Sequence, residues 1–90
     1  MYNVLPSNTF RKELKTMIKR GYDISLLDEV VTKLANGEAL PERNRDHALM
    51  GNHKGFRECH IKPDWLLIYQ ILDEELILYL TRTGTHSDLF

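Results

Sequence analysis

Trp65-Leu66-Leu67-Ile68-Tyr69-Gln70-Ile71-Leu72 is a nearly continuous apolar run. A strand that is apolar on both of its faces has both faces covered, so this run predicts the central, most buried strand of a sheet. Asp73-Glu74 reads as a turn and Glu75 to Thr81 as the following strand, so the two strands make a hairpin. Upstream, Gly55-Phe56-Arg57-Glu58-Cys59-His60-Ile61 alternates imperfectly and reads as the preceding strand. Between it and the central run lies Lys62-Pro63-Asp64, a strand–turn–strand junction with His60 on one side and Asp64 on the other. Such a rim holds polar side chains in fixed positions, as a site requires.

The first half reads as helical. Tyr2 to Leu5 is a short apolar strand, and Pro6-Ser7-Asn8-Thr9 carries turn and cap chemistry. Phe10, Leu14, Met17 and Ile18 then fall on one helical face, opposite Arg11, Lys12, Lys15, Lys19 and Arg20. Gly21 stops this helix, with basic residues in its last turn complementing the dipole. Ser25 and Asp28 resemble a capping box for a second helix with the stripe Leu26, Leu27, Val30, Val31 and Leu34, ended by Asn36-Gly37. Glu38 to Asn52 is polar and reads as a loop with room for a short strand or turn. The order is β-α-α-β-β-β: an α+β domain in which a helical hairpin packs on one face of a mainly antiparallel sheet. Polar residues can collect on the other face.

Ninety residues make one small domain with little stability to spare. The apolar fraction of 42% and charged fraction of 28% fit a folded globular chain rather than a disordered one. No apolar run is long enough to span a bilayer and no secretory signal is visible, so no membrane association is expected. A single cysteine, Cys59, fits a reducing, cytoplasmic setting. The net charge of −1 argues against nucleic-acid binding by bulk charge alone. An RNA-directed function needs its cations gathered on one face, and Arg43, Arg45, Lys54, Arg57, Lys62 and Arg82 share the half of the chain that carries the histidines. A mixed solvated surface is the plainer reading of the same charges.

Four histidines are many for this length, and His47, His60 and His86 lie at element ends rather than on apolar stripes. Imidazole moves protons near neutral pH, a carboxylate such as Asp64 orients it, and a guanidinium such as Arg82 suits a phosphate. Together they suffice for metal-free RNA cleavage, in which the ribose 2′-OH attacks the adjacent phosphorus and the 5′ oxygen leaves with a proton. Each residue also has a plainer role. The histidines can be surface residues, Asp64 a turn residue, Arg82 a surface cation, and Trp65 either core or a stacking face. Phe90 can be a packing plug or a stacking surface. A zinc site is the weaker reading of the same residues, because there is no tightly spaced histidine pair and no second cysteine.

The chain resembles the YafQ-type toxins of the RelE/ParE superfamily. The resemblance lies in Asp46-His47-Ala48-Leu49, Lys54-Gly55-Phe56-Arg57-Glu58-Cys59-His60, Pro63-Asp64-Trp65-Leu66-Leu67-Ile68-Tyr69, Arg82-Thr83-Gly84-Thr85-His86 and Leu89-Phe90. It implies a RelE-like fold and a type II toxin that cuts mRNA in the ribosomal A site without a cofactor. The implied partner is a DinJ- or RelB-like antitoxin, with operator DNA met only through that complex. The family's functional positions fall on His47, His60, Asp64, Trp65, Arg82, His86 and Phe90, with His47, His60, Asp64, Arg82 and His86 as the catalytic set. Trp65, Phe90, Lys54 and Arg57 are the expected substrate contacts. The chain departs from the family at His53, where members carry tryptophan, and in its slightly acidic balance. Two other functions fit the same fold: a gyrase-binding poison of the ParE type, and an inactive co-repressor that only binds its antitoxin. Neither needs a cluster of titratable side chains.

Overall fold

A computed structural model describes residues 1–90. The elements are β1 (Asn3–Pro6), α1 (Asn8–Lys19), α2 (Ile24–Ala35), β2 (His47–Ala48), β3 (Arg57–Lys62), β4 (Trp65–Leu72), β5 (Ile77–Gly84) and α3 (His86–Leu89). Five strands form one sheet in the order β1-β5-β4-β3-β2. Only the β1–β5 pair is parallel. The apolar run around Tyr69 is the central strand, as its two-sided hydrophobicity requires.

The core lies between the helices and one face of the sheet. Phe10 and Met17 of α1 and Leu27, Val30 and Leu34 of α2 meet Cys59, Trp65, Leu67, Tyr69, Leu78 and Leu80. Helix α1 lies along β5, whereas α2 lies over β3. Ser7 caps α1 by accepting from the Phe10 N–H at 2.9 Å. The cap of α2 is Asp23 rather than the expected Ser25: its carboxylate accepts from the Ser25 N–H at 2.9 Å and the Ser25 hydroxyl at 2.8 Å. Asn36 and Gly37 end α2, with Gly37 at a φ of 74°. The loop that follows contains two short 3₁₀ turns, Glu42–Asn44 and Gly51–His53, on either side of β2. No helix is long and apolar enough to cross a membrane.

Strand β5 runs on to Gly84, three residues beyond the expected stop at Thr81. A bulge makes this possible. Ile68 faces Arg82 while Tyr69 faces Leu80, leaving Thr81 as the extra residue. The Thr81 hydroxyl donates to the Ile68 carbonyl at 2.8 Å and closes the gap. Arg82, Thr83 and Gly84 are thereby fixed in the sheet instead of trailing past it.

Candidate active site

Alternation along β3 sorts its side chains. Arg57 and Cys59 pair with Tyr69 and Leu67 on the helix-covered face, so Glu58 and His60 point to the other face. His47 pairs with Glu58 across β2–β3 and lies on that same outer face. Glu58 Oε1 sits 3.7 Å from His47 Nε2 and 3.6 Å from His60 Nε2, just beyond hydrogen-bond length and within ion-pair range. The Glu58 side chain is only 8% exposed, so a carboxylate has been placed between two imidazoles almost out of water. Burying a charge there requires partners, and the two rings are the partners available. His60 Nδ1 donates to the Pro63 carbonyl at 3.2 Å, and His47 Nδ1 to the Arg45 carbonyl at 2.6 Å. In both rings Nδ1 is thus occupied by backbone, and Nε2 faces Glu58.

The second half of the site comes from the chain's end. Thr85 and Asp88 cap α3 reciprocally, and Arg20 donates to Asp88 from Nη1 and Nη2 at 2.7 and 3.2 Å. Those bonds, Arg20's first, hold the Asp88 carboxyl well below the usual carboxylate range. Gly84 lets the short helix fold back onto the sheet, because a Cβ there would lie 2.9 Å from Asp88 Cβ. His86, the first residue of α3, is thereby brought over the β3–β4 turn. Asp64 Oδ1 accepts from His86 Nδ1 at 2.9 Å and from the His86 backbone N–H at 3.1 Å. These two bonds, the side-chain one first, lower the Asp64 pKa below its ordinary value. His86 Nε2 is left free, and the His86 ring lies 5.7 Å from the His60 ring, centroid to centroid.

Arg82 belongs to the same face, one row along. Glu58, Ile68 and Arg82 face one another across three adjacent strands. Arg82 borders a hollow of about 330 Å³ walled by Phe56, Ile68, Tyr79 and Leu89, with His53 at its edge. The exposed Phe90 ring packs edge-on against His53 at 5.8 Å. Lys54, also exposed, follows the Gly51–His53 turn and makes no hydrogen bond through its side chain.

Two expected substrate contacts lie elsewhere. Trp65 is fully buried, its indole N–H donating to the Thr83 hydroxyl at 2.9 Å and its ring edge-on to Tyr22 at 5.2 Å. It is core, and no base can stack on it. Arg57 is on the helix side of β3, held by the Tyr69 hydroxyl and Asp46 at 3.3 Å each. Burial above all, and then the hydrogen bond to Asp46, push the Tyr69 phenol up against the opposing effect of Arg57. Reasoning from sequence also passed over Glu58, although its two-residue spacing from His60 signals a shared face in any strand.

This face offers three imidazole Nε2 atoms, those of His47, His60 and His86, with orienting carboxylates, a guanidinium and an adjoining hollow, the elements of general acid–base chemistry on a phosphodiester. No three His, Cys, Asp or Glu side chains are grouped so as to hold a metal ion.

Comparison with known proteins bears on the same assembly. Residues 2–90 match the family described as bacterial toxin of type II toxin–antitoxin system, YafQ. The mRNA interferase toxin YafQ of Escherichia coli K12 is 41% identical over 85 residues, covering 93% of this chain and 90% of that protein. Among solved structures, a metal-bound toxin from Helicobacter pylori is 48% identical and superposes with a TM-score of 0.95 over the full length of both chains. The toxin of the E. coli DinJ–YafQ complex is 38% identical, with a TM-score of 0.90 over 100% of this chain and 99% of that one. With a family match spanning all but the first residue and relatives this similar over nearly their whole length, the chain belongs to the YafQ family of bacterial type II toxin–antitoxin toxins.

Proposed function

We propose that the chain is an mRNA endoribonuclease, as the mRNA interferase name of its E. coli relative suggests, and that it cuts message on the ribosome, as the family resemblance implies. The observation that carries this reading is the convergence of His86, held by Asp64, with His60, backed by Glu58, on the face that also presents Arg82. Each ring has Nδ1 engaged and Nε2 available, so each can pass one proton at a defined atom.

The two rings divide the work. One Nε2 accepts the proton of a ribose 2′-OH as that oxygen attacks the neighbouring phosphorus. The other, carrying a proton, delivers it to the departing 5′ oxygen. Arg82 meets the charge that builds on the phosphoryl oxygens. The proton account closes on side chains, so the reaction as proposed is independent of metal. A well-placed acid–base group contributes roughly 10²–10⁴-fold and an electrostatic donor about 10²–10³-fold. His47 shares Glu58 with His60 and steadies that carboxylate. Phe90 and Lys54 remain accessible to the RNA strand.

The partner in this reading is an antitoxin, as DinJ is for E. coli YafQ. The basic side chains of α1, Arg11 to Arg20, offer it a cationic surface. Function on the ribosome places the toxin in the cytoplasm.

The chemistry is tested with an mRNA carrying a single 2′-deoxynucleotide on the 5′ side of the cut. Attack by the 2′-OH leaves a 2′,3′-cyclic phosphate and a 5′-hydroxyl on normal message, and no cut at the deoxy position. Continued cutting at the deoxy position would mean that water is the nucleophile and the imidazole roles are wrong.

A further inference from the structure

Arg82 does not stand free. Glu13 of α1 takes its Nε through both carboxylate oxygens at 3.0 Å and its Nη2 through Oε2 at 2.6 Å. The same carboxylate reaches the backbone. Strand β1 ends at Pro6, opposite Leu80, so the continuation of β5 is paired with β4 on one edge and has no strand on the other. Ser7 covers the Thr81 carbonyl at 2.8 Å, and Glu13 Oε1 accepts from the Thr83 N–H at 3.2 Å. Glu13 is the only acidic residue in α1, set among Arg11, Lys12, Lys15 and Lys19.

A guanidinium has two edges that can each bind an oxyanion in a fork: the side edge of Nε and Nη2, and the end edge of Nη1 and Nη2. Glu13 occupies the side edge. No protein group bonds Nη1, and the Arg82 side chain is 40% exposed. We propose that Glu13 is a positioning residue for RNA cleavage, clamping the side edge of Arg82 so that its end edge is presented to the scissile phosphate. The clamp is anchored to the sheet through Thr83 and to α1, so the arginine's direction is fixed before substrate arrives. It also partly neutralises Arg82 in the resting state. The guanidinium therefore adds little to ground-state affinity, and its contribution grows as charge develops on the phosphoryl oxygens.

This inference rests on the nuclease reading, and the experiment separates the two. Single-turnover cleavage of ribosome-bound mRNA is measured for the full chain, for Glu13→Gln, Glu13→Asp and Arg82→Ala, and for the Glu13→Gln/Arg82→Ala double variant, with melting temperatures alongside. Glu13→Gln keeps an oxygen for the Thr83 N–H but loses the carboxylate fork. It should lower the maximal rate by about tenfold to a hundredfold, the scale of a misdirected catalytic group, with little change in the concentration needed for half-saturation. Glu13→Asp, which retains the charge on a shorter stem, should recover part of that rate. In the Arg82→Ala background Glu13→Gln should cost nothing further, because the residue it positions is gone. A full rate in Glu13→Gln would overturn the inference, as would an undiminished loss in the Arg82→Ala background, which marks a purely structural glutamate. Should Glu13→Gln fail to fold, Glu13→Asp at full rate overturns it, and a lowered rate that vanishes against Arg82→Ala sustains it. A wild-type chain that leaves the mRNA whole would instead overturn the nuclease reading and the inference with it.

Discussion

Neighbouring residues of β3 serve opposite purposes. Arg57 and Cys59 face the helices, where Arg57 is tied to Tyr69 and Asp46 and Cys59 is fully buried. Glu58 and His60 face outward, where the same strand builds the imidazole cluster. Both faces contain buried polar groups in close array, but they differ in what is left over. On the helix side every Trp65 and Tyr69 polar atom is bonded within the protein. On the outer face His86 Nε2 and Arg82 Nη1 have no protein partner, and a hollow opens beside Arg82. A satisfied polar network stiffens a fold, whereas unspent hydrogen-bonding capacity beside open space is what a substrate can use.

That contrast breaks if helix-side residues prove as important to chemistry as the outer ones. Trp65→Ala should cost about 3–5 kcal/mol of stability, the usual scale for emptying a fully buried tryptophan site, seen in urea unfolding. Arg57→Ala should cost less, because its bonds are long and part-exposed. Neither should abolish cleavage by the fraction that remains folded. Loss of cutting by a fully folded Arg57→Ala chain would erase the distinction between the two faces.

Acid should sharpen the contrast with a smaller effect. Asp64 and Asp88 both hold α3, and both are lowered below ordinary carboxylate values, by His86 and by Arg20 respectively. A depressed carboxylate contributes stability above its unfolded pKa, about 3.9 for aspartate, and that contribution fades as pH falls through the folded value. The anchoring of α3 should therefore persist at pH 5 and weaken below about 4, while the amides of β4 keep their signals. Followed by NMR, simultaneous loss of α3 and β4 would show that the site is not the separately titrating part.

Much of this was legible in the residues because burial leaves a pattern. The two-sided apolar run of β4 located the sheet's centre, and the helical stripes ending at Gly21 and Gly37 located α1 and α2. The gathering of His47, His60, Asp64 and His86 followed from family resemblance together with their positions at element ends. What escaped was long-range or a matter of parity. Glu13 meets Arg82 across 69 residues of chain, and no local signal marks that pairing. The bulge at Thr81 depends on the register of β4 against β5, so the strand's true end at Gly84 was hidden. Trp65 and Arg57 were read by residue type, Trp65 as core or stacking face and both as substrate contacts. Their parity with Leu67 and Cys59 pointed to the core side throughout.

The central claim is that the imidazoles on the outer face cut message. Primer extension on mRNA from cells expressing the full chain, beside cells expressing His86→Ala, tests it most directly. The account predicts discrete cuts within translated codons for the wild type, and a loss of about 10²-fold or more in cutting for a His86→Ala protein that melts like its parent. Equal cutting by the two would contradict it.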